Sequence, residues 1–194
     1  MENNIKKISL SDSKDLIYKS NTLARSKYDI TLIQARFIAF LSSFVDKDDE
    51  DFFTYQIQIK PVLDFLEIDR TNLKYLSNTL KQLQTTLICL QDDDEAEAYT
   101  TFLSFFKLDK KNELLEFRFD SSLKKHYVQL KNNFTTLEIA NYKKFESVFT
   151  IKIYEFIKSN FQLYKKYENS LFREFIIDTD EFRNKIASKL VKGK

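Results

Sequence analysis

Apolar and polar residues follow several distinct rhythms along this chain, and each rhythm predicts an element. From Leu32 to Val45 the apolar side chains include Ile33, Phe37, Ile38, Phe40, Leu41 and Phe44, and they fall on nearly every side of a helix. A helix apolar all round belongs at the centre of a core. Thr31 is placed to cap it, since a threonine hydroxyl can accept from an orphan N–H of the first turn. The stretch before it, Ser11 to Tyr28, carries a weaker helical pattern. Phe53, Tyr55, Ile57 and Ile59 then alternate with Thr54, Gln56 and Gln58, which predicts a strand with one buried face.

Pro61 follows that strand and is expected at the first position of a short helix, where its missing N–H costs nothing. That helix carries Val62, Leu63, Phe65 and Leu66 inward and ends near Glu67. Ile68 to Thr71 reads as a tight connection. A second helix is predicted from about Asn72, with Asp69 or Thr71 as its cap. Leu73, Leu76, Leu80, Leu83 and Leu87 recur at spacings of three and four and form its apolar stripe.

Three β segments come next, at 85–90, 99–108 and 114–119, the last pair joined by Lys110-Lys111-Asn112-Glu113. Asp120 or Ser121 is placed to cap a short helix bearing Leu123, Tyr127 and Leu130. Phe134 to Ile139 reads as a further strand, and about Lys143 to Tyr164 as one long helix. Phe172 to Ile177 reads as β, followed by a helix capped by Thr179. A new element pair thus begins near the end of the chain. The fold class is α+β, helix-rich with a small antiparallel sheet. The order helix, strand, helix, turn, helix, strand, loop, strand is that of a winged helix.

Composition narrows the chemistry. Among 194 residues there are one Gly, one His and one Cys. The lone glycine, Gly193, cannot build a phosphate-cradling loop, which needs several. His126 and Cys89 together cannot make a Cys/His zinc site within one chain. Neither a metal nor a cofactor is expected, nor an enzyme. Tyr154 and Glu155 are polar residues on an apolar helix, and bonding within the fold explains them better than catalysis. His126 lies between Lys125 and Tyr127 and is expected at the surface. Cys89 is expected to be a small buried hydrophobe. No signal peptide or membrane span is legible, so the expected location is the cytoplasm.

Net charge is only +2, but its distribution is uneven. Asp46 to Asp51 and Asp92 to Glu97 are acidic and read as solvated loops. Lys124 to Lys166 holds nine lysines against three acids. From Arg70 to Gln82 there are three bases and no acid. Arg70, Thr71, Asn72, Lys74, Tyr75, Asn78 and Lys81 therefore form a polar, acid-free face on the second helix of the pair. Lysine and arginine supply the phosphate attraction, and Asn, Thr and Tyr add hydrogen bonds. Lys143 and Lys144 are secondary candidates for phosphate contact.

Three stretches resemble the iteron-binding plasmid replication initiators, the Rep proteins built from two winged helices. They are Lys19-Ser20-Asn21-Thr22-Leu23-Ala24-Arg25 with Tyr28-Asp29-Ile30-Thr31-Leu32, then Leu123 to Phe134, then Phe145 to Ile157 with its Tyr154-Glu155 pair. The resemblance covers about residues 16–165 and concerns the first winged helix; it implies one winged-helix domain over residues 1–168 and the start of a truncated second over 169–194. It implies binding to double-stranded origin repeats (iterons) as a monomer, and to a promoter inverted repeat as a repressing dimer. It also implies host replication proteins as partners, with most base readout assigned to a second winged helix. A second reading keeps only dimerisation, with little DNA affinity. There the strands 85–90 and 99–108 meet across a two-fold axis, and Ile88, Leu90, Phe102 and Ser104 are the candidate interface residues. The loop Asp92 to Glu97 sits where a wing reaches DNA, but its acids direct it to solvent or a protein.

Overall fold

The chain begins with β1 (Ile5–Lys7), β2 (Leu16–Ser20), α1 (Asn21–Ala24) and α2 (Leu32–Ser42). A strand–helix–helix run follows: β3 (Thr54–Gln58), α3 (Ile59–Leu66) and α4 (Leu73–Thr85). Two hairpins come next, β4 (Ile88–Asp92) with β5 (Glu97–Thr100), and β6 (Leu103–Asp109) with β7 (Leu114–Phe119). They are followed by α5 (Lys124–Tyr127), β8 (Phe134–Glu138), α6 (Ile139–Lys144) and α7 (Val148–Phe161). The computed structural model describes residues 5–92 and 94–161.

Helix α2 is central, as its pattern predicts. Its cap is a capping box: the Thr31 hydroxyl accepts from Gln34 N, while Gln34 Oε1 accepts from Thr31 N. Every residue from Gln34 to Ser42 except Arg36 is buried, and α3, α4, α6 and α7 all pack on it. Beside it lies a four-stranded sheet in the order β1-β3-β7-β6. β1 runs parallel to β3, and the other pairings are antiparallel. Period-two alternation puts Tyr55 and Ile57 of β3, and Leu115, Phe117 and Phe119 of β7, into the core. The many aromatic residues are used here. Tyr55 stacks on Phe117 with centroids 5.2 Å apart, and Phe119 meets Tyr127 at 5.4 Å. β2 and β8 form a separate antiparallel pair, and so do β4 and β5.

Several expectations need correction. Residues 11–28 are not one helix. They hold a 3-10 turn at Leu10–Asp12, then β2, then the four residues of α1. Ile17 pairs with Leu137 and Lys19 with Thr135 of β8, and this long-range pairing overrides a weak local pattern. The predicted long helix from Lys143 is two helices. Phe145 is extended between them, and the Arg36 guanidinium satisfies the freed carbonyls of Tyr142, Lys143 and Phe145. The Ser147 hydroxyl then accepts from Thr150 N, restarting the helix as α7. Pro61 is the third residue of α3 rather than the first, still within the turn whose N–H groups lack intrahelical acceptors. Leu87 lies beyond the end of α4 and is 60% exposed. The predicted strand 99–108 splits so that Phe102 can turn inward against the Tyr28 ring. His126 is buried, not at the surface. The β segment and helix expected over 172–190, and the domain starting at 169, lie outside the described residues.

Candidate nucleic-acid interface

The start of α4 is fixed by a relay of local caps. Glu67 closes α3 in the left-handed region, at φ 56°. The Asp69 carboxylate accepts from Thr71 N at 2.8 Å and from the Thr71 hydroxyl at 2.5 Å. Asn72 caps α4 itself, its Oδ1 accepting from Tyr75 N at 3.3 Å. Asp69 thus caps the preceding 3-10 turn, and Asn72 caps the helix. The inner face of α4 buries Leu76, Thr79, Leu80 and Leu83. Its outer face carries Lys74, Tyr75, Asn78 and Lys81, all exposed, with Arg70, Thr71 and Asn72 exposed at its start. Spacings of three and four bring these side chains onto one stripe, and α4 contains no acid.

Next to that stripe stands the turn between β6 and β7. Asp109 organises it, its carboxylate accepting from Lys111 N, Asn112 N and Asn112 Nδ2. Lys110 and Lys111 are exposed at its tip. Glu113 takes a left-handed conformation, and its carbonyl accepts from Ile59 N at 2.8 Å, which ties the turn to the start of α3. The Glu113 carboxylate pairs with the Arg70 guanidinium. That contact holds the Glu113 carboxyl below the usual range and raises Arg70. An acid does therefore reach the stripe, from the hairpin rather than from α4.

The sheet order also relocates the wing. β6 and β7 close on β3, so the wing is their hairpin, and its tip is Lys110-Lys111-Asn112. The acidic loop Asp92–Glu97 is the turn of the separate β4–β5 hairpin, not the wing. Sequence reasoning saw Lys110 and Lys111 only as a turn. Their signal was two lysines at the turn between two β segments, in the second hairpin after the α3–α4 unit.

Lys143 and Lys144 are exposed at the end of α6. The Lys143 ammonium lies 5.5 Å from the Phe65 ring centroid of α3, so this pair flanks α3 rather than α4. Of the candidate interface residues, Ile88 and Phe102 are core residues of a single chain. They are not available to a partner, because their side chains already complete the fold. Leu90 is half-buried and Ser104 exposed, with the Ser104 hydroxyl on the Phe119 carbonyl. Cys89, expected inside, is only partly buried.

The stretches that carry the family resemblance lie away from the stripe, in a buried polar network. Glu155 on α7 accepts from Lys19 Nζ at 2.6 Å, from Tyr142 Oη at 2.6 Å and from Tyr28 Oη at 3.3 Å. Arg25 bonds the Ser159 hydroxyl and carbonyl, and Thr135 bonds Asn21. Tyr154 Oη accepts from Glu138 N. Burial among these acidic and phenolic groups pushes Tyr28 and Tyr142 well above the ordinary phenol range. Glu155 and Tyr154 therefore hold α7 in place. Lysines of the basic segment are also used internally: Lys152 donates to the Tyr28 carbonyl, and Lys158 pairs with Glu138. Among the described residues no cluster of metal-binding side chains occurs, and no helix is long and apolar enough to cross a membrane.

A central helix, a strand, two helices joined by a tight turn and a hairpin closing on the first strand define a winged helix. The chain belongs to the family described as initiator replication protein, WH1, whose model matches residues 16–158. Among solved structures it is similar to the Pi initiator protein in complex with iteron DNA, with 20% identity and a TM-score of 0.64. That match covers 90% of this chain and 73% of the other. At such identity the likeness speaks for the fold. No curated protein matches the chain significantly.

Proposed function

We propose that this chain acts at a plasmid origin as an initiator that binds double-stranded DNA through α4 and the β6–β7 wing. The observation that carries the reading is the acid-free exposed face of α4 set beside a lysine-tipped hairpin. Lys74, Tyr75, Asn78 and Lys81 enter the groove in this reading, with Arg70, Thr71 and Asn72 at the helix start. Lys110 and Lys111 take phosphates of the flanking backbone, and Lys143 and Lys144 are secondary contacts. Family membership supports the initiator role, and the structural relative was solved with iteron DNA. The role is binding, not catalysis. The test is fluorescence anisotropy with a duplex of origin repeats across a salt series. Log affinity should fall against log salt with a slope of about −0.9 per phosphate contacted. Binding that survives Lys74→Glu combined with Lys81→Glu would remove α4 from the interface.

A second reading, dimerisation for repression at an inverted repeat, has its own observation. Apart from a single bridge from Lys27 to Cys89, the β4–β5 sheet carries no third strand among the described residues, and Leu87 before β4 and Tyr99 within β5 are 60% and 49% exposed. Apolar exposure at that level suits a contact with a second copy, with the half-buried Leu90 of β4 in the same sheet. Sedimentation that finds only monomer at tens of micromolar, in wild type and Leu87→Ser alike, would remove it.

A further inference from the structure

A cleft of about 470 Å³ opens between the β4–β5 hairpin and the loop 128–133, away from the α4 stripe. Lys125 and Lys131 rim it, together with the amides of Gln129, Asn132 and Asn133, and none of its lining residues is an acid. Leu90, Ala98 and Leu130 supply apolar surface. Neither lysine takes part in an ion pair among the described residues. The loop wall is preorganised. Gln129 and Asn133 sit in the left-handed region at φ 55° and 54°. Gln129 N donates to the Lys47 carbonyl, and the Asn133 carbonyl accepts from Asn21 N. A wall held this way loses little entropy when a ligand arrives.

We propose that this cleft docks an acidic peptide segment of a protein partner. The size is that of a ligand pocket, and the mixture of apolar surface, amides and two ammonium groups suits a short chain bearing carboxylates. Two observations set nucleic acid aside. No Phe, Tyr or Trp side chain lines the cleft, and its one imidazole, His126, is buried, so there is no open platform for an unstacked base. The hairpin wall continues into Asp94, Glu95 and Glu97, which would repel a duplex carrying a charge every ~1.7 Å. A peptide, unlike a rigid duplex, can turn its carboxylates toward the lysines and bend away from those acids. This site is independent of the DNA reading and stands if that reading fails.

The test uses the whole chain, isotope-labelled for amide NMR, titrated with acetylated hexaglutamate. Shifts should concentrate in residues 20–22 and 129–133. Lys125→Ala combined with Lys131→Ala should weaken binding about tenfold, the loss expected for charged hydrogen bonds at an open site. Both lysines are exposed, so the variant keeps its fold, and its binding to duplex DNA should be unchanged. Hexaglutamate shifts elsewhere, or equal affinity in the double variant, overturn the proposal. So does inorganic phosphate that binds the cleft as tightly as the peptide, or a duplex oligonucleotide that shifts the same residues as strongly.

Discussion

The Lys19 ammonium lies 2.6 Å from Glu155 Oε1, and both side chains are almost fully buried. Lys19 belongs to β2 near the start of the chain and Glu155 to α7 near the end of the described residues. The pair thus joins two segments far apart in sequence. Two tyrosine hydroxyls complete the shell around the carboxylate, so its oxygens are not left bare. An ion pair so enclosed adds little net stability over an apolar pair of equal volume, but leaving half of it costs much. Its main contribution is to fix where α7 sits.

The first prediction concerns that asymmetry. Lys19→Met should lower stability by roughly 3–5 kcal/mol in urea unfolding, because Glu155 stays buried without its cation. Combining Lys19→Met with Glu155→Leu should restore much of the loss. A double variant as unstable as the single would mean that packing around the pair, rather than the orphaned charge, dominates.

His126 makes a second prediction. Its residue is 5% exposed, Nδ1 meets the Ser20 hydroxyl at 2.7 Å, and Nε2 is buried without a partner among the described residues. Desolvation, aided by the charge of Lys125, lowers its pKa to about 4. The unfolded chain takes up the proton near the ordinary 6.5, whereas the folded chain resists it. Stability from this group is therefore full above pH 6.5 and is lost as pH falls toward 4, by ~3 kcal/mol in all. Denaturant curves at pH 7 and pH 5 should differ less for His126→Phe than for wild type. An equal difference in both would assign the acid sensitivity to other groups.

His126 also marks where the sequence stops being informative. A histidine between a lysine and a tyrosine looks solvated, because only β2 of the folded chain, through Ser20, shows what covers it. The same reason hid that Lys19 is the partner of Glu155, since their contact spans most of the chain, although Glu155 was expected to bond within the fold and does. By contrast, α2, β3, α4 and β7 were legible because their apolar periods are local and long enough to count. The α4 stripe was legible for the same reason. The wing was not, since which hairpin closes on β3 is a fact of sheet order. Its partner acid Glu113 was invisible until the hairpin brought it to Arg70.

That pairing leads to the third prediction. While Glu113 holds Arg70, part of the positive field at the start of α4 is neutralised. Glu113→Gln keeps the size and the left-handed backbone site but frees the guanidinium for phosphate. Affinity for duplex DNA should rise a few-fold, and the salt slope should steepen. Weaker binding would show instead that Glu113 positions Arg70 for contact.

The last prediction separates the two hairpins. Phosphate contacts change affinity almost equally for every sequence and lower the salt slope by about one per lysine removed. Lys110→Ala combined with Lys111→Ala should therefore weaken binding to specific and random duplexes alike and reduce the slope by about two. Neutralising the β4–β5 turn, with Asp94→Asn and Glu95→Gln, should leave both quantities nearly unchanged, because that turn belongs to another sheet. Anisotropy over a salt series with both duplexes measures all of this. If the β4–β5 variant moved the slope and the lysine variant did not, the duplex would lie against the acidic hairpin, and the assignment of β6–β7 as the wing that meets DNA would fall.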